Sequence, residues 1–287
     1  MRHPVCFGYQ IATPDVAYSP SLTCLHGDPE RNIETLRLIG YDAVEFMTAD
    51  PRRLDPIRYR AMAERFGMRC VLVCTGEVFG TLGLSFLDPN PGVRRRAADR
   101  IKELIDFAAA LGANVNIGRV QGKNSAAATG DYADFAPAAE ALIDICEYAK
   151  PLSVDILLEP IEKRWGGRIN TVADGVKVCK KLGFENLRVM MDHSAMCFEE
   201  ISIAHTVRRY AAASVGHLHL SEKDRRYPGH TSAAPFEALI GELRLAGYDG
   251  PFVVEALSLP EGSAAARKAY ETIAPMLKKN YAWTSNN

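Results

Sequence analysis

The sequence predicts a (β/α)8 barrel, a closed ring of eight parallel strands with helices packed outside it. Three observations predict it. Eight short, β-rich apolar runs recur, longer amphipathic runs alternate with them at spacings of roughly 30 to 40 residues, and no linker interrupts the alternation.

The elements follow in order. VCFGYQI (5–11) is the first strand, and PERNIETLRLIG (29–40) is a helix pattern that Asp28 caps, with Pro29 in its first turn and Gly40 at its end. AVEFM (43–47) and RCVLVC (69–74) are the second and third strands. PGVRRRAADRIKELIDFAAALGA (91–113) reads as a helix closed by Gly112 and leads into ANVNIG (113–118). Its basic stretch, 93–102, alternates with apolar positions at helical spacing and so reads as a solvated face. YADFAPAAEALIDICEYAK (132–150), VDILLE (154–159), TVADGVKVCKKLG (171–183) and LRVMMD (187–192) continue the alternation, with Gly183 as a further helix stop. VGHLHL (215–220), APFEALIGELRLAGYDG (234–250, stop at Gly247) and PFVVEA (251–256) complete it.

All 287 residues are therefore assigned to one barrel domain, with TSNN (284–287) as a disordered tail. A doubly wound sheet is the runner-up. It needs no eighth strand and usually has a Gly-rich first turn, and nothing resembling G-x-G-x-x-G follows residues 5–11.

Charge narrows the partners. With 34 basic and 35 acidic side chains the formal charge is −1, which leaves no electrostatic footprint for nucleic acid or an anionic membrane. A small molecule becomes the expected partner. The seven cysteines are odd in number, lie mostly in apolar segments and form no C-x-x-C pair, so they read as reduced thiols of a cytoplasmic protein. MRHPVCFGYQ lacks the long apolar stretch of a secretory signal, and no run approaches about 18 apolar residues.

In a (β/α)8 barrel, chemistry sits at the C-terminal ends of the strands. Strand five ends in Glu159, strand six in Asp192, strand seven holds His217 and His219, and strand eight ends in Glu255. Carboxylates buried at a barrel mouth are costly unless a cation or hydrogen bonds compensate, and three carboxylates with one imidazole can hold a divalent ion. The oxygen-rich set suits Mn²⁺, Mg²⁺ or Co²⁺ better than a closed Zn²⁺ site, with zinc or iron left open. His217 and His219 share one strand face at different depths, so His219, nearer the mouth, is the better ligand and His217 supports from below. Beyond the strand, Glu222, Lys223 and Arg225 enter the loop where polar substrate is met. Met196 and Cys197 read as packing residues, and Cys24, His26, Arg119 and Lys123 are secondary pocket candidates.

These residues resemble a known group, the sugar isomerase/epimerase family with the xylose isomerase-like barrel, and within it the ketose 3-epimerases of the tagatose and psicose type. LLEPIEKRWGGRINT (157–171), HLHLSEKDRRYPGH (217–230) and VVEAL (253–257) carry the resemblance, with spacings of 33, 27 and 36 residues between Glu159, Asp192, His219 and Glu255. TGEVFGTLGLSFLDPNPGVRRRA (75–97) is similar to the family's third-strand loop and following helix. The resemblance implies Mn²⁺ or a similar ion on Glu159, Asp192, His219 and Glu255, and Arg225 against substrate hydroxyls. It also implies that Glu159 and Glu255 exchange protons with the carbon beside the ketose carbonyl through an enediolate. A homo-oligomer, dimer or tetramer, follows from the same resemblance.

Two positions depart from the family pattern. Ala195 stands where the family has a histidine, with His193 placed directly after Asp192 instead, and Trp165 replaces a substrate-contacting glutamate. His193 is thus a relocated acid/base or a loop histidine, and Trp165 a stacking surface for a sugar ring or aglycone, or lid packing. Trp165 favours a larger or oxidised substrate such as a keto-glycoside or keto-inositol. Three alternatives to an epimerase or isomerase stay open: a lyase or dehydratase forming the same enolate beside a leaving group, a non-catalytic sugar-binding barrel, and a DNA-repair endonuclease of the same superfamily. The last needs a multi-zinc cluster and a basic groove, and neither the strand ends near Glu45 and Thr75 nor the net charge supplies them.

Overall fold

The computed structural model describes residues 5–123 and 135–284. Eight parallel strands close in sequence order into a barrel, each hydrogen-bonded to its neighbours and the last to the first. They are β1 (Phe7–Ala12), β2 (Ala43–Met47), β3 (Arg69–Cys74), β4 (Asn114–Ile117), β5 (Ile156–Leu158), β6 (Leu187–Asp192), β7 (Val215–Leu220) and β8 (Phe252–Val254). The expected strands five and eight are shorter than the sequence suggests. Glu159 and Glu255 consequently lie one residue beyond β5 and β8, yet their amides still donate to Ile117 O (3.0 Å) and Leu220 O (3.2 Å), extending the ladders by one step.

Around the barrel run α1 (Pro29–Ile39), α2 (Pro56–Arg65), the short α3 (Gly76–Gly80), α4 (Pro91–Leu111), α5 (Ala136–Ala149), α6 (Val172–Leu182), the short α7 (His193–Glu199), α8 (Ile203–Ser214), α9 (Ala234–Leu245) and α10 (Gly262–Tyr281). The start of the expected 132–150 helix, up to Asp134, and the tail beyond Thr284 lie outside the described residues. Asp28 caps α1 as expected, accepting from Arg31 N, and Thr171 caps α6 by accepting from Asp174 N. Gly112 and Gly183 close α4 and α6 in the left-handed conformation that a side chain would strain.

Strand alternation divides the core. Phe7, Tyr9, Ile11, Val44, Phe46, Val115, Leu158, Val189, Leu218 and Val254 join one apolar cluster with helix residues such as Ile33, Leu36, Ile101 and Leu104. The opposite parity fills the barrel interior, where Leu72, Leu157 and Met190 pack together. Gln10, Glu45, Asn116, His217 and His219 share that inward parity and are almost fully buried. The interior is therefore apolar in one part and polar in another, and the polar part leads to the strand ends.

One expectation is corrected in α4. The basic run 93–102 is not uniformly solvated: Arg100 is buried and pairs with Asp50 and with Glu103 (3.0 Å). Asp50 follows β2 and also accepts from Arg52 Nε at 2.9 Å. Arg52 and Arg100 hold the Asp50 carboxyl well below the usual carboxylate range, against partial desolvation. Asp50→Asn is expected to cost about 1–3 kcal/mol in denaturant unfolding at pH 7, because a buried guanidinium loses a partner. A depressed carboxyl contributes stability above its unfolded pKa and loses it on acidification, so the gap between variant and wild type closes below about pH 4.

All seven cysteines are free of disulfides. Among the described residues no helix is long and apolar enough to cross a membrane.

Candidate functional site

The strand register brings the four strand-end residues together. β6 shifts register between Val189 and Met190, so that Met190 faces His217 and Asp192 faces His219. A bulge of this kind re-aims the side chains that follow it. Glu159, Asp192, His219 and Glu255 each offer one ligand atom, and these atoms all lie within 4.8 Å of one another. His219 Nδ1 stands 3.3 Å from Glu255 Oε2 and 3.6 Å from Glu159 Oε1.

Below this group lies a second buried set. The Glu45 carboxylate accepts from Gln10 Nε2 (2.5 Å) and lies 3.1 Å from His217 Nε2 and 2.9 Å from His219 Nε2. A carboxylate receiving the Nε2 proton fixes the His219 tautomer and turns its Nδ1 lone pair toward the mouth. Burial alone would push the Glu45 carboxyl up, but the two imidazoles pull it well below its ordinary value. Burial lowers the pKa of His217, whereas for His219 the surrounding Glu45 and Glu255 overcome burial and raise it.

Two observations fit a divalent cation to the upper group. His219 Nδ1 is buried without a hydrogen-bond partner, and three carboxylates converge around it. Glu45, His217 and His219 also form a cluster of ligand type, but there the Nε2 atoms are already engaged with the carboxylate. Burial raises the pKa of Glu159; it acts the same way on Asp192, but Arg225, His219 and the Ala195 amide together outweigh it and pull that carboxyl below the usual range. Other side chains and backbone amides hold further oxygens: Asn116 Nδ2 donates to Glu159 Oε2 (2.9 Å), Thr23 Oγ1 to Glu255 Oε1 (3.0 Å), and the backbone N–H groups of Ser194 and Ala195 in α7 to Asp192 Oδ1.

Glycine makes room for this arrangement at Gly118. A Cβ there would run into Glu159 Oε2. Gly118→Ala is expected to fold, because only the end of a side chain must move, and to lower kcat at least about tenfold by displacing that carboxylate. Steady-state kinetics beside a thermal melt will separate the two effects.

Glu159, Asp192 and Glu255 open into a cavity of about 610 Å³ that Arg225, Trp165 and Glu162 also line, with His219 buried beneath its floor. Arg225 has a left-handed backbone (φ 63°) and donates to Asp192 Oδ2 (2.5 Å) and Glu255 Oε2 (2.8 Å), supplying positive charge beside the carboxylates. Trp165 stands at the rim, 56% exposed.

Three residues expected to face substrate, His193, His217 and Glu222, do not line this cavity. His193 is buried behind its wall, with Nδ1 2.8 Å from Ser221 O and its ring 4.6 Å from that of Phe236. His217 sits beneath, occupied by Glu45. Glu222 lines a neighbouring cavity and accepts from Thr231 N at 3.2 Å. Ala195, at the family's histidine position, does line the first cavity. Of the secondary candidates, Arg119 is in its wall, paired with Glu77 at 2.5 Å. Cys24 packs on Met47, His26 meets Val16 O, and Lys123 lies over the Phe79 ring, all outside that lining. Met196 is packed, and half-buried Cys197 lies 3.7 Å from His193 Nε2.

Reading strand ends alone overlooks Glu45, Glu77 and Glu162. The usable signal for Glu45 was parity, since in AVEFM it falls on the face opposite Val44 and Phe46. Glu162, in the loop after β5, carries no periodic signal.

Comparison with known proteins agrees with this fold. The family described as xylose isomerase-like TIM barrel matches residues 33–279. A D-psicose 3-epimerase of Agrobacterium fabrum is 31% identical over 122 residues, an alignment spanning 42% of each chain, so less than half of that relative's length is covered. An L-ribulose 3-epimerase of Mesorhizobium japonicum is 25% identical over 83% of this chain and 78% of its own. The solved structure of an L-ribulose 3-epimerase superposes with a TM-score of 0.79 at 22% identity, covering 96% of this chain and 95% of that one. The chain belongs to the xylose isomerase-like TIM barrel family.

Proposed function

We propose that this protein is a divalent-metal-dependent sugar epimerase of the ketose 3-epimerase kind. The observation that carries the reading is the convergence of Glu159, Asp192, His219 and Glu255 beside an orphaned imidazole nitrogen. The epimerase relatives support the reaction class. Glu159, Asp192, His219 and Glu255 would hold the ion, Mn²⁺ by preference. When bound, it supplies Lewis-acid stabilisation of negative charge on substrate oxygens.

The chain's own residues do the proton work. One of Glu159 and Glu255, as carboxylate, takes the proton from the carbon beside the ketose carbonyl, and the C–H electron pair moves toward the carbonyl oxygen as an enediolate. The other, as carboxylic acid, returns a proton to the opposite face, inverting the carbon with no change in mass. Asn116 and Thr23 orient the two carboxyls, and Arg225 offers donors to substrate hydroxyls.

The test is reaction of chelator-stripped protein, reloaded singly with Mn²⁺, Mg²⁺, Co²⁺ or Zn²⁺, with D-psicose, D-fructose, D-tagatose and L-ribulose. The expected result is an equal-mass epimer that forms with a divalent ion and is absent with chelator. Loss of water would move the assignment to a dehydratase, and metal-independent turnover would refute the site.

A further inference from the structure

A second cavity, of about 800 Å³, adjoins the first. Ser21, Thr23, Trp165 and Arg225 line both, so the two compartments are continuous across the Trp165 rim. The outer one is bounded by Phe198 and Arg164 and by the loop carrying Glu222, Lys223 and Asp224. We propose that this outer compartment is a subsite for a second sugar ring, and that the preferred substrate is a glycosylated ketose. The inference rests on the epimerase reading and deepens it by naming the substrate class.

Two large aromatic rings stand partly in solvent here, Trp165 at 56% and Phe198 at 39% exposure. Exposed apolar surface grouped beside a polar cavity marks a binding surface. The rings come from separate elements that are tied together. Trp165 ends a 3₁₀ turn, Lys163–Trp165, whose Lys163 amide donates to Glu199 Oε1 (2.9 Å) on α7, the helix that carries Phe198. The Arg164 guanidinium lies between them, 4.1 Å from the Phe198 ring centre and 5.3 Å from that of Trp165. Lys223 Nζ covers Phe198 at 4.3 Å.

Charge selects the ligand. Arg164 pairs with buried Glu162, which Arg225 also reaches at 3.4 Å, and Arg225 is further balanced by Asp192 and Glu255. Asp224 pairs with Arg226 (3.4 Å), and what remains is Lys223 against Glu222, a donor and an acceptor of opposite sign rather than a cationic pocket for phosphate. Hydroxyl groups, which donate and accept, match such a rim, and the C–H face of a pyranose matches an exposed indole. Glu162 links the compartments, since its carboxylate touches both the outer-platform Arg164 and the inner Arg225.

The experiment compares D-fructose with its O1- and O6-linked glucosyl disaccharides, trehalulose and isomaltulose, on the Mn²⁺-loaded enzyme, by kcat/KM and by isothermal titration. At least one disaccharide is expected to exceed fructose about tenfold in kcat/KM and in affinity. Trp165→Ala should bring that ratio toward one, and Trp165→Phe should retain most of it. Equal values for fructose and both disaccharides in wild type would overturn the subsite. So would a Trp165→Ala loss that is the same for mono- and disaccharide, the mark of rim packing. If no sugar is turned over, the epimerase reading fails, but the titration still decides the subsite: tighter disaccharide binding that Trp165→Ala abolishes supports it, and equal binding rejects it.

Discussion

Glu159→Gln and Glu255→Gln, made singly, are expected to lower kcat for ketose epimerisation at least about 10³-fold while the barrel stays folded. Each substitution removes a proton-transfer group and weakens the metal set at once, so the loss should exceed that for a residue with one role. Folding should not suffer. Asn116 and Thr23 can still donate to the glutamine oxygen, and each change relieves repulsion among Glu159, Asp192 and Glu255. Metal-free Glu159→Gln should therefore melt no lower than metal-free wild type, and Glu255→Gln, which weakens one contact of Arg225, should melt only slightly lower because Arg225 keeps Asp192 and Glu162. A large fall in melting temperature would mean that these carboxylates are structural groups, Glu255 paired to Arg225 and Glu159 to Asn116, rather than a site held open for a cation.

The second large effect is expected one layer down. Glu45→Gln retains volume but replaces one acceptor oxygen with a donor facing two imidazoles and Gln10. The His219 tautomer is then no longer fixed, and Mn²⁺ affinity should fall about 10- to 100-fold by isothermal titration. Glu45→Ala leaves three buried groups without their acceptor and should cost about 3 kcal/mol or more of folding stability. The two variants separate positioning from packing: Gln should weaken metal binding more than it lowers the melting temperature, and Ala should reduce both.

Much of this was readable in the sequence because barrel strands advertise themselves. Runs such as VGHLHL and LRVMMD are apolar on the parity that faces the helices, and their last inward positions break the pattern with Asp192 and His219. Gly112 and Gly183 punctuate the helices for a backbone reason that any sequence reveals. The less legible parts share physical causes. Helix α8 passes from Ser214 straight into β7 at Val215 with no loop residue between, and α10 carries Pro275 in its interior, so neither shows an ordinary boundary. From its place after Asp192, His193 reads as either a displaced acid/base or a loop histidine, and the first turn of α7 decides between them by directing it to Ser221 and Phe236, away from the cavity. Arg100 looked solvated because the run around it is basic, and only the closed barrel places Asp50 beside it. The Trp165–Phe198 platform joins a 3₁₀ turn to helix α7, 33 residues apart, a proximity that no local pattern encodes.

The measurement that tests the central claim most directly is epimerisation in D₂O by the Mn²⁺-loaded enzyme, followed by mass spectrometry and proton NMR of the product. Proton abstraction and return by Glu159 and Glu255 predicts an epimer that, after its hydroxyls are back-exchanged in H₂O, carries one deuteron at the inverted carbon and on no other carbon, with no such product from either glutamine variant. An epimer formed without solvent deuterium would contradict the account, because the hydrogen would then have moved within the substrate and the two carboxylates would have no proton to exchange.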